Sequence, residues 1–355
     1  MMRLKILYLI CCLWVFSGAV DFLEATENSA EMLTLSGCED RPGTGKKIVL
    51  ISGDEEYRSE EVLPQLARIL AQQHGFDCIV LFAIHPETKK IDPNFRHNIP
   101  GLNHLRDAEA MVIATRFRDL PKQQMQEIDR YLHRGGPVVG MRTATHGFNI
   151  PGNKPYAHYG NGYQGKKEFW RGGFGRAILG EKWISHHGDH RKESTRGLIA
   201  PGERQNPIVR GINDGDIWGP TDVYGVRLPL PGDSQTLVLG QVLVGMKPTD
   251  APLAGKKNNP MMPIAWTKSY QLPGSQSSTG RVFNTTMGSS TDFLSEGLRR
   301  LIIQGLFWAC GLEKSIPDQG IRADLVPPYD PTDFGFRTDE DWANKDLQPA
   351  DFSKP

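Results

Sequence analysis

Four short, uninterrupted apolar runs constrain this chain more than any other feature. They are Lys47–Ser52 (KIVLIS), Phe76–Ile84 (FDCIVLFAI), Ala108–Thr115 (AEAMVIAT) and Pro137–Arg142 (PVVGMR). Each is too short for an ordinary helix, and the first two are rich in β-branched residues, so they read as strands. Strands with one wet face alternate apolar and polar residues; unbroken runs mark strands covered on both faces, the habit of parallel sheets. Between the first two runs, Ser59–His74 repeats apolar residues at helical spacing and stops before Gly75. Between the third and fourth, Pro121–Arg134 opens on proline and ends at Gly135-Gly136. The order strand, helix, strand, strand, helix, strand predicts an α/β domain with a parallel sheet and helices on both faces.

The second half is less regular. From Thr143 to about Arg210 the chain is rich in Gly, His and aromatic residues without periodicity, and we read residues 143–210 as a long, loop-rich insertion. Strands are expected at Val223–Leu228, Thr236–Val244, Met262–Thr267 and Arg281–Thr286. A final helix is expected over Phe293–Gly311, with Thr291-Asp292 as its N-cap signal. The 314–355 tail is acidic and punctuated by proline, and is expected to lie across the surface.

Met1–Lys5 is short and basic, Ile6–Phe16 is apolar, and Ser17-Gly18-Ala19 offers small residues for cleavage. This layout predicts a signal peptide over 1–19, with cleavage after Ala25 as the alternative, and a protein exported to the periplasm or beyond. The apolar run is shorter than a bilayer span requires, so no stable membrane span is expected after cleavage. Residues 20–45 read as a linker. The remaining Cys38, Cys78 and Cys310 allow no disulfide framework, and the core must hold the fold.

With 41 basic and 41 acidic residues the chain is formally neutral. A nucleic-acid partner is not expected, since such binders carry a strong basic surplus.

Ligands of open parallel sheets bind beyond the carboxyl ends of the strands, which marks several loops. Gly53-Asp54-Glu55-Glu56-Tyr57-Arg58 follows the first strand, and its three carboxylates argue against a phosphate cradle and hence against flavin mononucleotide. They can hold a sugar hydroxyl or a cation, or stand as solvated charges. Met141-Arg142-Thr143-Ala144-Thr145-His146 follows the fourth strand, where a nucleophile elbow would sit. It has neither Cys nor Ser, and a Thr away from the chain terminus lacks an activating amine, which argues against acyl-enzyme chemistry and leaves Arg142 and His146 for anion binding, acid/base work or a plain polar turn. Trp183-Ile184-Ser185-His186-His187-Gly188-Asp189-His190 carries three imidazoles and a carboxylate. It admits acid/base or substrate contacts, metal ligation, or surface histidines; Lys182, Arg191 and Lys192 disfavour a cation. Thr285–Asp292, with Ser289, can receive hydroxyl groups or cap the next helix. Trp170 and its aromatic neighbours can stack on a sugar or pack the insertion.

In their order these segments resemble a known family. KIVLISGDEEYRSEE (Lys47–Glu61), GGPVVGMRTATHGF (Gly135–Phe148), WISHHGDH (Trp183–His190), NPMMPIAWTKSY (Asn259–Tyr270) and GRVFNTTMGSSTDFLSEGLRRLIIQGLFWACGLE (Gly280–Glu313) together resemble a ThuA-like (trehalose utilisation) domain of a secreted bacterial branch. The resemblance covers about residues 46–313. It implies a flavodoxin-like, class I glutamine amidotransferase-like fold and a link to sugar metabolism. Amidotransferase relatives use a Cys-His-Glu triad, whereas this chain has Thr143 and Ala144 at the elbow and Gly288-Ser289 after the last strand, so Cys-dependent amidotransferase activity is not expected.

The expectation is an exported protein that binds or transforms a carbohydrate or oxidised sugar derivative. His146, His186, His187 and Glu55 are the candidate catalytic residues. Asp54, Tyr57, Arg142, Thr143, Trp170, His190 and Ser289 are the candidate ligand contacts. No metal or cofactor is expected. Two rivals stand beside it: a non-catalytic sugar- or partner-binding module of the cell envelope, and a metal-dependent hydrolase using the His186–His190 cluster.

Overall fold

A computed structural model describes residues 31–274 and 276–353. The expected signal peptide over 1–19 lies outside the described residues, and no described helix is long and apolar enough to cross a membrane.

One mixed sheet of ten strands runs through the molecule. The strands are β1 (Met32–Leu35), β2 (Lys47–Gly53), β3 (Asp77–Leu81), β4 (Ala110–Thr115), β5 (Val138–Met141), β6 (Thr195–Ile199), β7 (Trp218–Gly219), β8 (Gln235–Val242), β9 (Met262–Tyr270) and β10 (Gly280–Thr285). Their spatial order is β1-β3-β2-β4-β5-β10-β9-β8-β6-β7. The five strands β3, β2, β4, β5 and β10 are mutually parallel. On one side β1 adds antiparallel to β3; on the other β9, β8, β6 and β7 continue as an antiparallel extension.

The unbroken apolar strands have the predicted cause. Ile48 and Leu50 of β2 pack with the helices α1 (Ser59–His74) and α3 (Glu296–Ala309), whereas Val49 and Ile51 pack on the other face with α2 (Lys122–His133). Successive side chains point to opposite faces, so both parities are apolar because both faces are dry. The result is an α/β flavodoxin-like arrangement whose loops at the carboxyl ends of β2, β4, β5 and β10 meet on one side.

Four expectations need correction. Residues 32–45 do not behave as a linker: Met32–Leu35 forms β1, seating Leu33 in the core, with too short a run to stand out in sequence. Val223–Leu228 is not a strand; only Tyr224 makes a bridge, to His186, and Pro229 just beyond has no N–H to extend a ladder. The last helix starts later than expected, at Glu296. Its cap is Ser295, whose side chain accepts from Leu298 N–H, while Asp292 is buried in the preceding turn. The tail carries a short helix, α4 (Asp339–Lys345), and is bound tightly: Trp342 is buried under the Arg58 guanidinium, and Phe352 stacks on Phe82.

Candidate functional site

β5 ends at Met141, and the chain then turns sharply into a single 3-10 helix, Arg142–His146. Arg142 makes the turn at φ 42°, a left-handed conformation that costs a non-glycine residue about 1–2 kcal/mol. The strained residue at this elbow is therefore Arg142, not Thr143 or Ala144. Its guanidinium is fully buried between two rings, 3.8 Å from the Tyr224 centroid and 4.4 Å from that of Tyr57. Nη1 donates to the carbonyls of Asp222 (2.8 Å) and Thr286 (2.7 Å), and Nη2 to the Tyr57 hydroxyl (3.1 Å) and Asp222 Oδ1 (3.0 Å).

Asp222 is the centre of the arrangement. Its side chain has no solvent exposure, and three donors converge on it. Besides Arg142, His190 Nδ1 lies 3.0 Å from Oδ1 and His186 Nδ1 lies 2.7 Å from Oδ2. Burial works against its charge, but Arg142 and the two imidazoles outweigh it and hold the carboxyl well below the usual carboxylate range. A carboxylate only accepts, so both histidines carry a proton on Nδ1 and leave Nε2 on the side of the ring away from Asp222. The His186 side chain is 40% exposed, enough to meet a ligand.

A chain of contacts runs round this pair. His190 Nε2 stands 3.6 Å from Glu56 Oε1, whose other oxygen lies 3.2 Å from Arg116 Nε. The Arg116 guanidinium lies 4.9 Å from the Phe117 ring; Phe117 leads to His146 (4.9 Å), His146 to Trp183 (5.4 Å), and Trp183 to His186 (5.7 Å). The Tyr224 ring lies against His146, Trp183 and His186, forming the floor with Arg142 beneath it. Burial raises the Glu56 carboxyl above its ordinary value, although Arg116 opposes this.

A family model described as ThuA, trehalose utilisation, matches residues 48–309. The chain belongs to the ThuA family. Among solved structures it is similar to a putative ThuA-like protein from Bacteroides uniformis, at 13% identity over 75% of this chain and 92% of that one, with a TM-score of 0.43. A second, from Parabacteroides merdae, shares 14% identity over 84% and 98% of the two chains, also at 0.43. No curated protein matches it.

This ThuA-family structure gathers some of the expected site residues and disperses others. Tyr57, Arg142, His146, His186 and His190 converge. His146 is buried, and desolvation together with the nearby Arg116, Arg142 and His186 charges drives its proton affinity far down, so it is a neutral wall of the cleft. Glu55 is engaged with guanidinium groups: Arg118 Nη2 (2.6 Å), Arg116 Nη1 (2.6 Å) and Arg96 Nη2 (3.0 Å) all donate to it. Asp54 braces the loop, accepting from the Glu56 and Tyr57 N–H groups and from the Thr143 hydroxyl at 2.6 Å. Asp54 and Thr143 are thereby both occupied and buried.

Three candidates lie apart. His187 turns away, its Nε2 2.8 Å from the Lys257 carbonyl. Ser289 is buried and accepts from Asp292 N–H, capping a turn. Trp170 packs on Tyr159 and His158 beside a cavity of about 470 Å3 that also touches His133, at the carboxyl end of α2, and Leu272, just past the end of β9. That is the opposite end of the sheet from the loops, because β9 runs antiparallel to β10.

Sequence reasoning missed Glu56, Arg116, Phe117, Trp183, Asp222 and Tyr224 as contributors. Trp183 and Glu56 stood inside segments already singled out. Asp222 carried no signal of its own, since it sits beside a run that looks like a strand.

Proposed function

We propose that this trehalose-utilisation-related protein is exported and binds a sugar or an oxidised sugar derivative in the Asp222-centred cleft, where His186 acts as general base. The observation that carries this reading is the Asp222 carboxylate fixing two imidazoles by Nδ1 at the carboxyl ends of parallel strands. A base needs a lone pair within reach of the proton it removes, and His186, 40% exposed and bonded to Asp222 by Nδ1, keeps Nε2 for that role. Asp222 orients the ring and stabilises the imidazolium that forms when a hydroxyl, or a C–H beside a sugar carbonyl, gives up its proton. Arg142 is too deeply buried to touch a ligand; it holds Asp222 ionised. The Trp183 and Phe117 rings offer apolar faces of the kind that stack on pyranose C–H groups.

The test is a thermal-shift and calorimetric screen with trehalose, keto-sugars and sugar acids, on the wild-type protein and on His186→Ala. A ligand that binds the wild-type protein and is turned over only when His186 is present supports the reading. No binding of any member sinks it. Export is tested by sequencing the amino terminus of the protein recovered outside the cytoplasm, expected to start at Val20 or Thr26.

One observation favours a second reading. Ligand atoms of His186, His190 and Asp222 lie within 4.8 Å of one another, close enough to chelate a divalent ion. The Arg142 guanidinium on the same carboxylate opposes that cation. Metal analysis of the purified protein decides: a stoichiometric transition metal moves His186 from base to ligand.

A further inference from the structure

The family domain ends at residue 309, yet residues 332–337, well beyond it, lie against the loops that build the cleft. This segment is pinned at several points to the loops that build the site. Thr332 N–H donates to Glu61 Oε2 (2.7 Å), the Ser290 hydroxyl donates to the Thr332 carbonyl (2.8 Å), and Gly335 N–H donates to the Glu56 carbonyl (2.7 Å). The buried Arg58 donates to the carbonyls of Asp333 and Gly335, and Arg191 to that of Phe334. Gly335 sits at φ 139°, a backbone state open in practice only to glycine.

The pinning places two aromatic rings. Phe334 is buried, stacked on Tyr57 at 5.4 Å and edge-on to His190 at 5.4 Å. Phe336 is 64% exposed, more than any other large apolar side chain among the described residues, and its ring lies 4.9 Å from the Arg116 guanidinium. Arg116 thus stands between Phe336 and Phe117, on the rim beside Glu56 and His190. The backbone that carries this apolar ring is fixed as far as Gly335, so the ring is presented to water at the edge of a polar cleft without the gain of burial.

We propose that the strap Thr332–Arg337 is the outer wall of the site and that Phe336 is its ligand-stacking face, taking the apolar C–H face of a pyranose. The wall follows from the contacts alone; the sugar as occupant rests on the function proposed above. The carboxyl-terminal tail is then a specificity element of this chain, supplied from outside the family domain.

Two measurements on the full chain test the two halves. In the first, the histidines are acylated with diethyl pyrocarbonate and the rate at each is read by mass spectrometry. Phe334→Ala is expected to raise the rate at His190 severalfold, with the exposed His97 unchanged as control. Arg191→Ala releases the strap from the surface and serves where the buried Phe334 variant folds poorly. Unchanged rates in a folded variant overturn the wall. In the second, trehalose and sugar acids are titrated by calorimetry into the wild-type, Phe336→Ala and Phe336→Trp proteins. The alanine variant is expected to bind roughly tenfold more weakly, with the tryptophan variant near wild type and all three melting alike. Equal affinity of Phe336→Ala overturns the stacking face while leaving the sugar reading intact. No binding by the wild-type protein overturns the sugar reading and the stacking face together, and the acylation rates still decide the wall.

Discussion

His186 Nδ1 donates to Asp222 Oδ2 over 2.7 Å, and the rest of the cleft is arranged to keep that bond as it is. Arg142 holds the carboxylate ionised from behind, and an ionised carboxylate fixes the tautomer of both His186 and His190.

Asp222→Asn keeps the shape and removes the charge. The buried Arg142 then loses the carboxylate it is directly paired with, a condition that costs about 3 kcal/mol or more. Urea unfolding at neutral pH should show a loss of that order, and NMR should show the His186 and His190 rings losing their fixed Nδ1–H tautomer. Unchanged stability would mean that solvent reaches Arg142, contrary to its burial.

Glu60 gives a prediction of opposite sign. It is fully buried in the first turn of α1, neither carboxyl oxygen has a hydrogen-bond partner, and the nearest cation, Arg58, is 3.8 Å away. Burial pushes its carboxyl up to about 8 from the ordinary 4.5, against the pull of Arg58. Folding therefore retains a proton that the unfolded chain releases, and stability declines as pH rises from about 4.5 to 8. Glu60→Gln should remove that decline and raise stability by about 3 kcal/mol at pH 7, with no gain at pH 4. Denaturation at the two pH values checks it.

His187 and Trp170 supply a negative prediction. His187 is held by the Lys257 carbonyl, and Trp170 lies at the far end of the sheet. His187→Ala should leave ligand affinity within about twofold of wild type, whereas His186→Ala should not. Calorimetry with any ligand found in the sugar screen distinguishes them, and equal losses from both variants would move the site toward Lys257.

The parallel half of this fold was legible because burial on both faces forces strands such as Ile48–Ile51 to be apolar at every position. The antiparallel half was less so. Thr195–Ile199 alternates buried Thr195, Gly197 and Ile199 with half-exposed Arg196 and Leu198, a pattern too short and too polar to stand out. Val223–Leu228 has strand composition, but Tyr224 is spent on stacking over Arg142. The site was half legible: His186 and His190 announced themselves as a cluster, while Asp222 acts through partners 36 and 80 residues away in sequence, which no local pattern encodes. Phe334 and Phe336 were hidden for the same reason, since acidic, proline-rich composition says nothing of where a tail docks.

That docking has an acid-labile contact. His74, at the end of α1, is buried with Nε2 2.9 Å from the carbonyl of Arg322 in the tail and its ring edge-on to Phe307. Desolvation lowers its proton affinity to about 4 from the ordinary 6.5, outweighing the carbonyl. A depressed folded value means the unfolded chain takes up the proton first, so the stability from neutral His74 is complete above about pH 6.5 and is lost as pH falls toward 4. The loss by pH 4.5 should be about 2–3 kcal/mol from this residue. In His74→Gln, which cannot titrate, the drop in unfolding free energy between pH 7 and pH 4.5 should shrink by that amount. An unchanged pH profile would show that His74 takes up its proton equally in the folded and unfolded chain, contrary to its burial against the tail.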